Sequence, residues 1–126
     1  MAEAQTIGRM GEDIAAAELR SRGWRIVARN LRTRAGEADV VAVRPCRGGR
    51  RAIVVEVKAT RGERELTARV DARKAARLWA IAHQICSGSV EALADVAGIV
   101  EIEVAVAEIR LGARATQVRW RTLELW

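Results

Sequence analysis

The 126-residue chain has no phenylalanine and no tyrosine, a single proline, a single histidine, two cysteines and only two lysines. Its four tryptophans, Trp24, Trp79, Trp120 and Trp126, are spread along the chain, so the aromatic rows on which sheet-type RNA binders stack bases are missing. Trp24 and Trp79 read as core residues instead. The lone His83 excludes nucleases built on histidine pairs and histidine-rich metal sites, and it reads as an ordinary helix residue. Cys46 and Cys86 have neither the number nor the spacing of a disulfide framework or a zinc site; reduced thiols are the simpler reading. The longest stretch without a charged side chain, 78–90, falls well short of the roughly 20 apolar residues that a bilayer span requires. The opening residues already carry Glu3 and lead into no apolar secretory core, so a cytoplasmic protein without a membrane partner is expected. Gly48-Gly49 lacks the lysine and serine of a phosphate-binding loop, which argues against nucleoside triphosphate binding.

What is present is arginine. The chain carries 22 Lys+Arg against 16 Asp+Glu, a net charge of +6, and the excess sits in the N-terminal part. Residues 1–74 hold 17 basic and 10 acidic side chains, whereas 75–126 hold 5 and 6. Between Arg20 and Arg51 there are ten arginines and only two acids, Glu37 and Asp39. Such a field suits a polyanionic partner, although solvated arginine-rich surfaces are common. Lysine usage is more selective: twenty of the 22 basic residues are arginine, leaving Lys58 and Lys74. A compact ammonium reaches a water or phosphate oxygen as a point charge, which a planar guanidinium does poorly.

Half of the residues are hydrophobic, enough for one domain over 1–126 with its own core. Ile7, Met10, Ile14 and Ala17 recur at helical spacing over Thr6 to Arg22, and Gly23 supplies the stop. Trp24 to Leu31 alternates as a strand, with Trp24, Ile26 and Ala28 on one face and Arg25 and Arg29 on the other. Strands over Glu37 to Val43 and Ala52 to Ala59 flank an eight-residue loop, Arg44 to Arg51, and should form an antiparallel hairpin. A polar Arg- and Glu-rich link follows. A long helix from about Val70 to Cys86 then carries Ala75, Leu78, Ala82 and Ile85 on its apolar face. A helical turn within Ser87 to Gly98, a strand over Ile99 to Val106 and another over Gln117 to Leu125 complete the order α-β-β-β-α-β-β. That order makes an α/β fold with a mixed sheet.

The alternation of Val54-Val55-Glu56-Val57-Lys58 places Glu56 and Lys58 side by side on one face. Glu37 and Asp39 share a face of the preceding strand, and the hairpin can bring Asp39 opposite Glu56. Carboxylates held close repel unless a cation lies between them, and oxygen ligands with open positions suit Mg²⁺ or Mn²⁺. Such an ion activates water and neutralises a phosphodiester, with Lys58 positioned to offset transition-state charge. The competing reading is ordinary cross-strand pairing on a solvated sheet face.

The run Gly8, Gly11, Glu12, Gly23, Asn30, Arg32, Gly36-Glu37-Ala38-Asp39 and Val55-Glu56-Val57-Lys58 resembles the YraN-type family of predicted endonucleases. Their fold is similar to that of restriction endonucleases and archaeal Holliday junction resolvases. The resemblance covers residues 7–85 well and the remainder loosely. It implies Asp39, Glu56 and Lys58 as catalytic residues. It also implies Asp39, Glu56 and the main-chain carbonyl of Val57 as ligands of Mg²⁺ or Mn²⁺, with Glu12 added from the first helix. Asn30, Arg32 and Arg34, and Lys74 on the second helix, would face DNA, and Arg29 on the basic side of the first strand joins them. Glu37 would be a supporting residue. Thr60 stands where the family usually has an arginine, with Arg61 one step later, and Glu101-Ile102-Glu103 replaces a late-strand R-F-D. The expected activity is metal-dependent cleavage of structured or branched DNA. The alternatives are a nucleic-acid-binding module of the same fold that has lost cleavage, and an interaction protein whose basic face meets an acidic surface. A homodimer is left open by the sequence.

Overall fold

The computed structural model describes residues 2–62 and 70–124, and the Arg- and Glu-rich link expected before the second helix falls largely outside them. The elements run in order: α1 (Ala2–Ser21), β1 (Arg25–Thr33), β2 (Gly36–Cys46), β3 (Gly49–Arg61), α2 (Ala72–Cys86), a 3-10 turn at Glu91–Leu93, β4 (Ile99–Leu111) and β5 (Thr116–Leu123). The strands form one sheet in the order β1-β2-β3-β4-β5. Its ladders are antiparallel except β3–β4, which is parallel. A parallel neighbour needs a crossover, and α2 lies within it. The expected α/β order with a mixed sheet is what forms.

The two helices cover opposite faces. On one, Ala15 and Leu19 of α1 pack with Trp24, Val40, Ala42, Ile53, Val55 and Ile109. On the other, Leu78, Ile81, Ala82 and Ile85 of α2 pack with Leu31, Ala38, Val41, Val54 and Val104. A sheet buried on both faces reads as continuous apolar runs, which accounts for the unbroken Ala52–Val55 stretch. Both helices are also tied to β5 by tryptophan: Trp120 Nε1 donates to the Glu18 carboxylate at 2.6 Å and Trp79 Nε1 to the Leu123 carbonyl at 3.2 Å.

Several expectations shift. The buried face of α1 is turned relative to the Ile7-Met10-Ile14-Ala17 stripe: Ile7 and Ile14 pack only partly, while Met10 and Ala17 are exposed. The residues that press on the sheet are small. A Cβ at Gly11 would lie 2.6 Å from Ala59 Cβ and 3.3 Å from Val57 Cγ1, so only glycine permits this approach. In β1 the alternation breaks at a bulge between Ile26 and Ala28. Trp24 and Ile26 consequently pack on the α1 side, and Ala28 on the α2 side. The eight-residue loop does not exist: Arg44, Pro45 and Cys46 pair with Arg51, Arg50 and Gly49, leaving a turn at Arg47 and Gly48. Gly48, at φ 88°, supplies the left-handed turn residue. Among the described residues, no helix is long and apolar enough to cross a membrane.

Candidate functional site

The site grows out of a place where two strands separate. The β2–β3 ladder runs from Cys46↔Gly49 up to Val40↔Val55 and ends there. One further step in this register would set Asp39 against Glu56. The backbone leaves the ladder at that point, and the Asp39 carboxylate replaces it, accepting a 2.7 Å hydrogen bond from the Val57 N–H. The departure also interrupts the face pattern of β2. Ala38 packs on the α2 side, yet Val40, two residues on, packs on the α1 side. Asp39 therefore occupies the gap between the strands instead of sharing a simple face with Glu37.

Beyond the split, β3 continues with its period of two. Val55 and Val57 face α1, so Glu56 and Lys58 face α2. Glu56 is buried, the polar exception in a core otherwise apolar among the described residues. Lys58 Nζ stands 3.5 Å from Glu56 Oε1. The second partner comes from α2, whose first turn is fixed by Asp71: this N-cap carboxylate accepts the Lys74 N–H at 2.8 Å. The Lys74 ammonium then meets the same Glu56 oxygen at 2.7 Å. Both lysines of the chain thus converge on one buried glutamate. Lys74, expected to face a phosphate, is engaged with Glu56 here.

The electrostatics follow from this crowding. Burial pushes the Asp39 carboxyl up from its ordinary 3.8 to about 6, and repulsion from Glu56 and then Glu12 adds to the rise. The Val57 hydrogen bond and the Lys74 charge oppose it without cancelling it. Lys74 is held above the usual ammonium value, first by its hydrogen bond to Glu56 and against the pull of desolvation. Glu12 is close enough to act on Asp39 from α1. Among the described residues, though, no three His, Cys, Asp or Glu side chains gather as a metal-holding group. The donors that are together, the Asp39 and Glu56 carboxylates beside the main chain of Val57, are oxygens of the type Mg²⁺ or Mn²⁺ takes.

The remaining site residues lie around this centre. A cleft of about 900 Å³ between α1 and the β1–β2 arm is lined by Arg9, Glu12, Arg29, Asn30, Arg32 and Glu37, among others. Arg29 is held there by Asp13 at 2.7 Å and Arg32 by Glu37 at 3.5 Å. Asn30, at φ 51°, is the one non-glycine residue in the left-handed region among those described, a conformation that asparagine tolerates better than most. Arg34 lies elsewhere, beside Arg32 in a second cleft against the end of α2. Arg61 pairs with Glu3 at 3.6 Å, and Glu101 pairs with Arg51, so Arg61 and Glu101 both take part in surface ion pairs. Cys46 and Cys86 are free thiols. The scarcity of lysine singles out Lys58 and Lys74, but that both meet Glu56 depends on where the fold places α2.

A family model described as uncharacterised protein family UPF0102 matches residues 11–106. A UPF0102 protein of Acidothermus cellulolyticus is 45% identical over 80 residues, covering 62% of this chain and 58% of that protein. One of Anaeromyxobacter dehalogenans is 42% identical over 87 residues, covering 63% and 62%. Another, of Syntrophotalea carbinolica, is 53% identical over 57 residues, covering 45% and 43%. The chain spans about half the length of these curated relatives.

Proposed function

The chain belongs to the uncharacterised protein family UPF0102, and from the site it builds we propose that it is a divalent-metal-dependent endonuclease that hydrolyses phosphodiester bonds in structured or branched DNA. The observation that carries this reading is the convergence of Lys58 and Lys74 on buried Glu56, beside Asp39 in the gap between β2 and β3. Buried ion pairs contribute little net stability, because desolvation offsets their attraction. A cluster that concentrates both lysines of an arginine-rich chain on one carboxylate is poorly explained as a device for folding.

The donor chemistry fits Mg²⁺ or Mn²⁺. Asp39 and Glu56 would hold the ion with the Val57 carbonyl, and water or a phosphate oxygen would fill other positions. Glu12 is positioned to add negative charge from α1. When bound, the cation would polarise a phosphoryl oxygen and a water beside it. The rest falls to the chain itself. The Val57 N–H fixes Asp39, so one carboxylate oxygen is committed and the other is left to act. Lys58, on the same face as Glu56, orients the attacking water and offsets charge on the phosphoryl oxygens. Lys74, paired with Glu56 at the start of α2, would supply a second ammonium to a phosphate oxygen. Arg29, Asn30, Arg32 and Arg34, in the two clefts flanking the β1–β2 arm, hold the DNA backbone.

The test is a cleavage screen on linear, flapped and four-way DNA with Mg²⁺ or Mn²⁺, run beside Asp39→Ala. Metal-dependent cutting by the unaltered protein and none by Asp39→Ala supports the proposal. DNA binding without any cutting would favour the silent binding module, and neither binding nor cutting would favour the interaction protein.

A further inference from the structure

The turn joining β1 to β2 separates the cleft beside α1 from a second one, of about 680 Å³, on the α2 side. That volume falls within the ~300–1,000 Å³ of small-ligand sites. Arg32 and Thr33 at the end of β1 and Arg34 in the turn line it on one side, and Gln84, Val90 and Glu91 from the end of α2 and the 3-10 segment on the other. The turn is cross-tied: Thr33 Oγ1 donates to the Gly36 carbonyl at 2.9 Å and accepts the Ala35 N–H at 3.1 Å. It fixes the backbone from which Arg32 and Arg34 extend. The ion pair of Arg32 with Glu37, at 3.5 Å on an exposed side chain, is weak enough to yield to another anion.

The opposite wall carries acceptors. Gln84 Oε1 is buried and, among the described residues, is the one buried side-chain oxygen or nitrogen without a hydrogen-bond partner. An orphaned amide oxygen forfeits a hydrogen bond that water would otherwise have supplied. The terminal amide torsion of glutamine is soft, so a donor entering the cleft can draw the oxygen toward it. The exposed Glu91 carboxylate lines the same side and repels a phosphate, which leaves the arginine side for the anion. The ligand that matches has a phosphate at one end, an apolar-faced ring that packs on Val90, and an amino donor at the other end.

We propose that this cleft binds one nucleoside monophosphate unit, its phosphate on Arg32 and Arg34 and the exocyclic amine of its base on Gln84. Adenine, cytosine and guanine carry such an amine, and thymine does not. The unit can be a free mononucleotide or an unpaired nucleotide of a bound strand; the second form rests on the nucleic-acid reading above, and the first does not.

The experiment has two arms, both in EDTA. In the first, dAMP, dCMP, dGMP, dTMP and inorganic phosphate are titrated calorimetrically into the full chain and into Gln84→Met. The amine-bearing nucleotides should bind at least ~5-fold more tightly than dTMP, the worth of one hydrogen bond, and Gln84→Met should abolish that difference without lowering the melting temperature. In the second, fluorescence anisotropy compares a duplex with the same duplex carrying one unpaired cytosine. A preference for the unpaired cytosine of ~5-fold or more that Gln84→Met removes assigns a strand-borne nucleotide, even if the isolated mononucleotides bind too weakly to titrate. Discrimination in the first arm alone assigns the free form. If dTMP and phosphate match the other nucleotides and the unpaired cytosine is not preferred, or if Gln84→Met retains every preference, the proposal is overturned. A protein that cleaves no DNA but keeps the Gln84-dependent preference leaves this cleft assigned while the nuclease reading fails; cleavage without the preference has the opposite meaning.

Discussion

Replacing Asp39 by asparagine should stabilise the fold at alkaline pH, and the gain should vanish on acidification. Asparagine keeps an oxygen for the Val57 N–H, which Asp39 accepts at 2.7 Å, but it removes the charge that burial, Glu56 and Glu12 all disfavour. A carboxyl held at about 6 instead of 3.8 corresponds to about 3 kcal/mol at 1.36 kcal/mol per pH unit. Partial solvent access at this half-buried position reduces the expectation to ~1–2 kcal/mol. The sign follows from proton binding. Because the native carboxyl binds its proton more readily than the unfolded one, the native protein carries the full cost above pH 6 and sheds it as pH falls from 6 to 3.8. Urea unfolding of both proteins at pH 8, 6, 5 and 4 should therefore give Asp39→Asn a lead of ~1–2 kcal/mol at pH 8, most of that still at pH 6, about half near pH 5 and only a small remainder at pH 4. Saturating Mg²⁺ at pH 8 should narrow the lead, since a cation stabilises only the protein that keeps both carboxylates. An Asp39→Asn protein less stable than the original at pH 8, or a difference that does not change with pH, would refute this description of the site.

Lys58→Arg keeps a positive charge but not a compact ammonium, so single-turnover cleavage should fall by at least ~10²-fold, approaching Lys58→Ala, with DNA binding and melting temperature little changed. Undiminished cleavage would reduce Lys58 to a phosphate-neutralising charge. If about five phosphates are contacted, log affinity for DNA should fall with log salt with a slope of roughly −4 to −5. The triple change of Arg29, Arg32 and Arg34 to alanine should make that slope about two to three units shallower, and unaltered binding would place the footprint elsewhere. Gly11→Ala should destabilise by ~1–3 kcal/mol, read as a lower thermal midpoint, because its methyl would lie 2.6 Å from Ala59 Cβ; a neutral result would mean that α1 shifts freely and does not fix Glu12.

The order of elements was legible because its signals are local. The helical spacing of Leu78, Ala82 and Ile85 and the apolar run through Val55 are each produced by the face they bury. The pairing of Glu56 with Lys58 was legible for the same reason, being a consequence of period two within one strand. What escaped the sequence depends on breaks in that period. The bulge after Ile26 and the departure of β2 at Asp39 each move neighbouring side chains to opposite sides, and neither is marked by glycine or proline. The buried face of α1 departs from its bulky apolar stripe because Gly11 and Ala15 allow close approach to the sheet, whereas Met10 stays exposed. Lys74 reaches Glu56 through a crossover helix, a contact of high sequence separation that periodicity does not encode, and the same holds for the packing that leaves Gln84 Oε1 without a partner.

The proposed nuclease depends on Asp39 and Glu56 holding a cation used in phosphodiester cleavage. The most direct measurement follows the single-turnover cleavage rate of the preferred DNA as Mn²⁺ or Mg²⁺ is titrated into the metal-stripped protein, for the original chain and for Asp39→Asn. The expected result is a saturable, EDTA-reversible rate in the original and a loss of at least ~10²-fold in Asp39→Asn, with DNA affinity in EDTA equal or higher in the variant. Cleavage that persists in EDTA, or an Asp39→Asn protein that cuts as fast as the original, would contradict it.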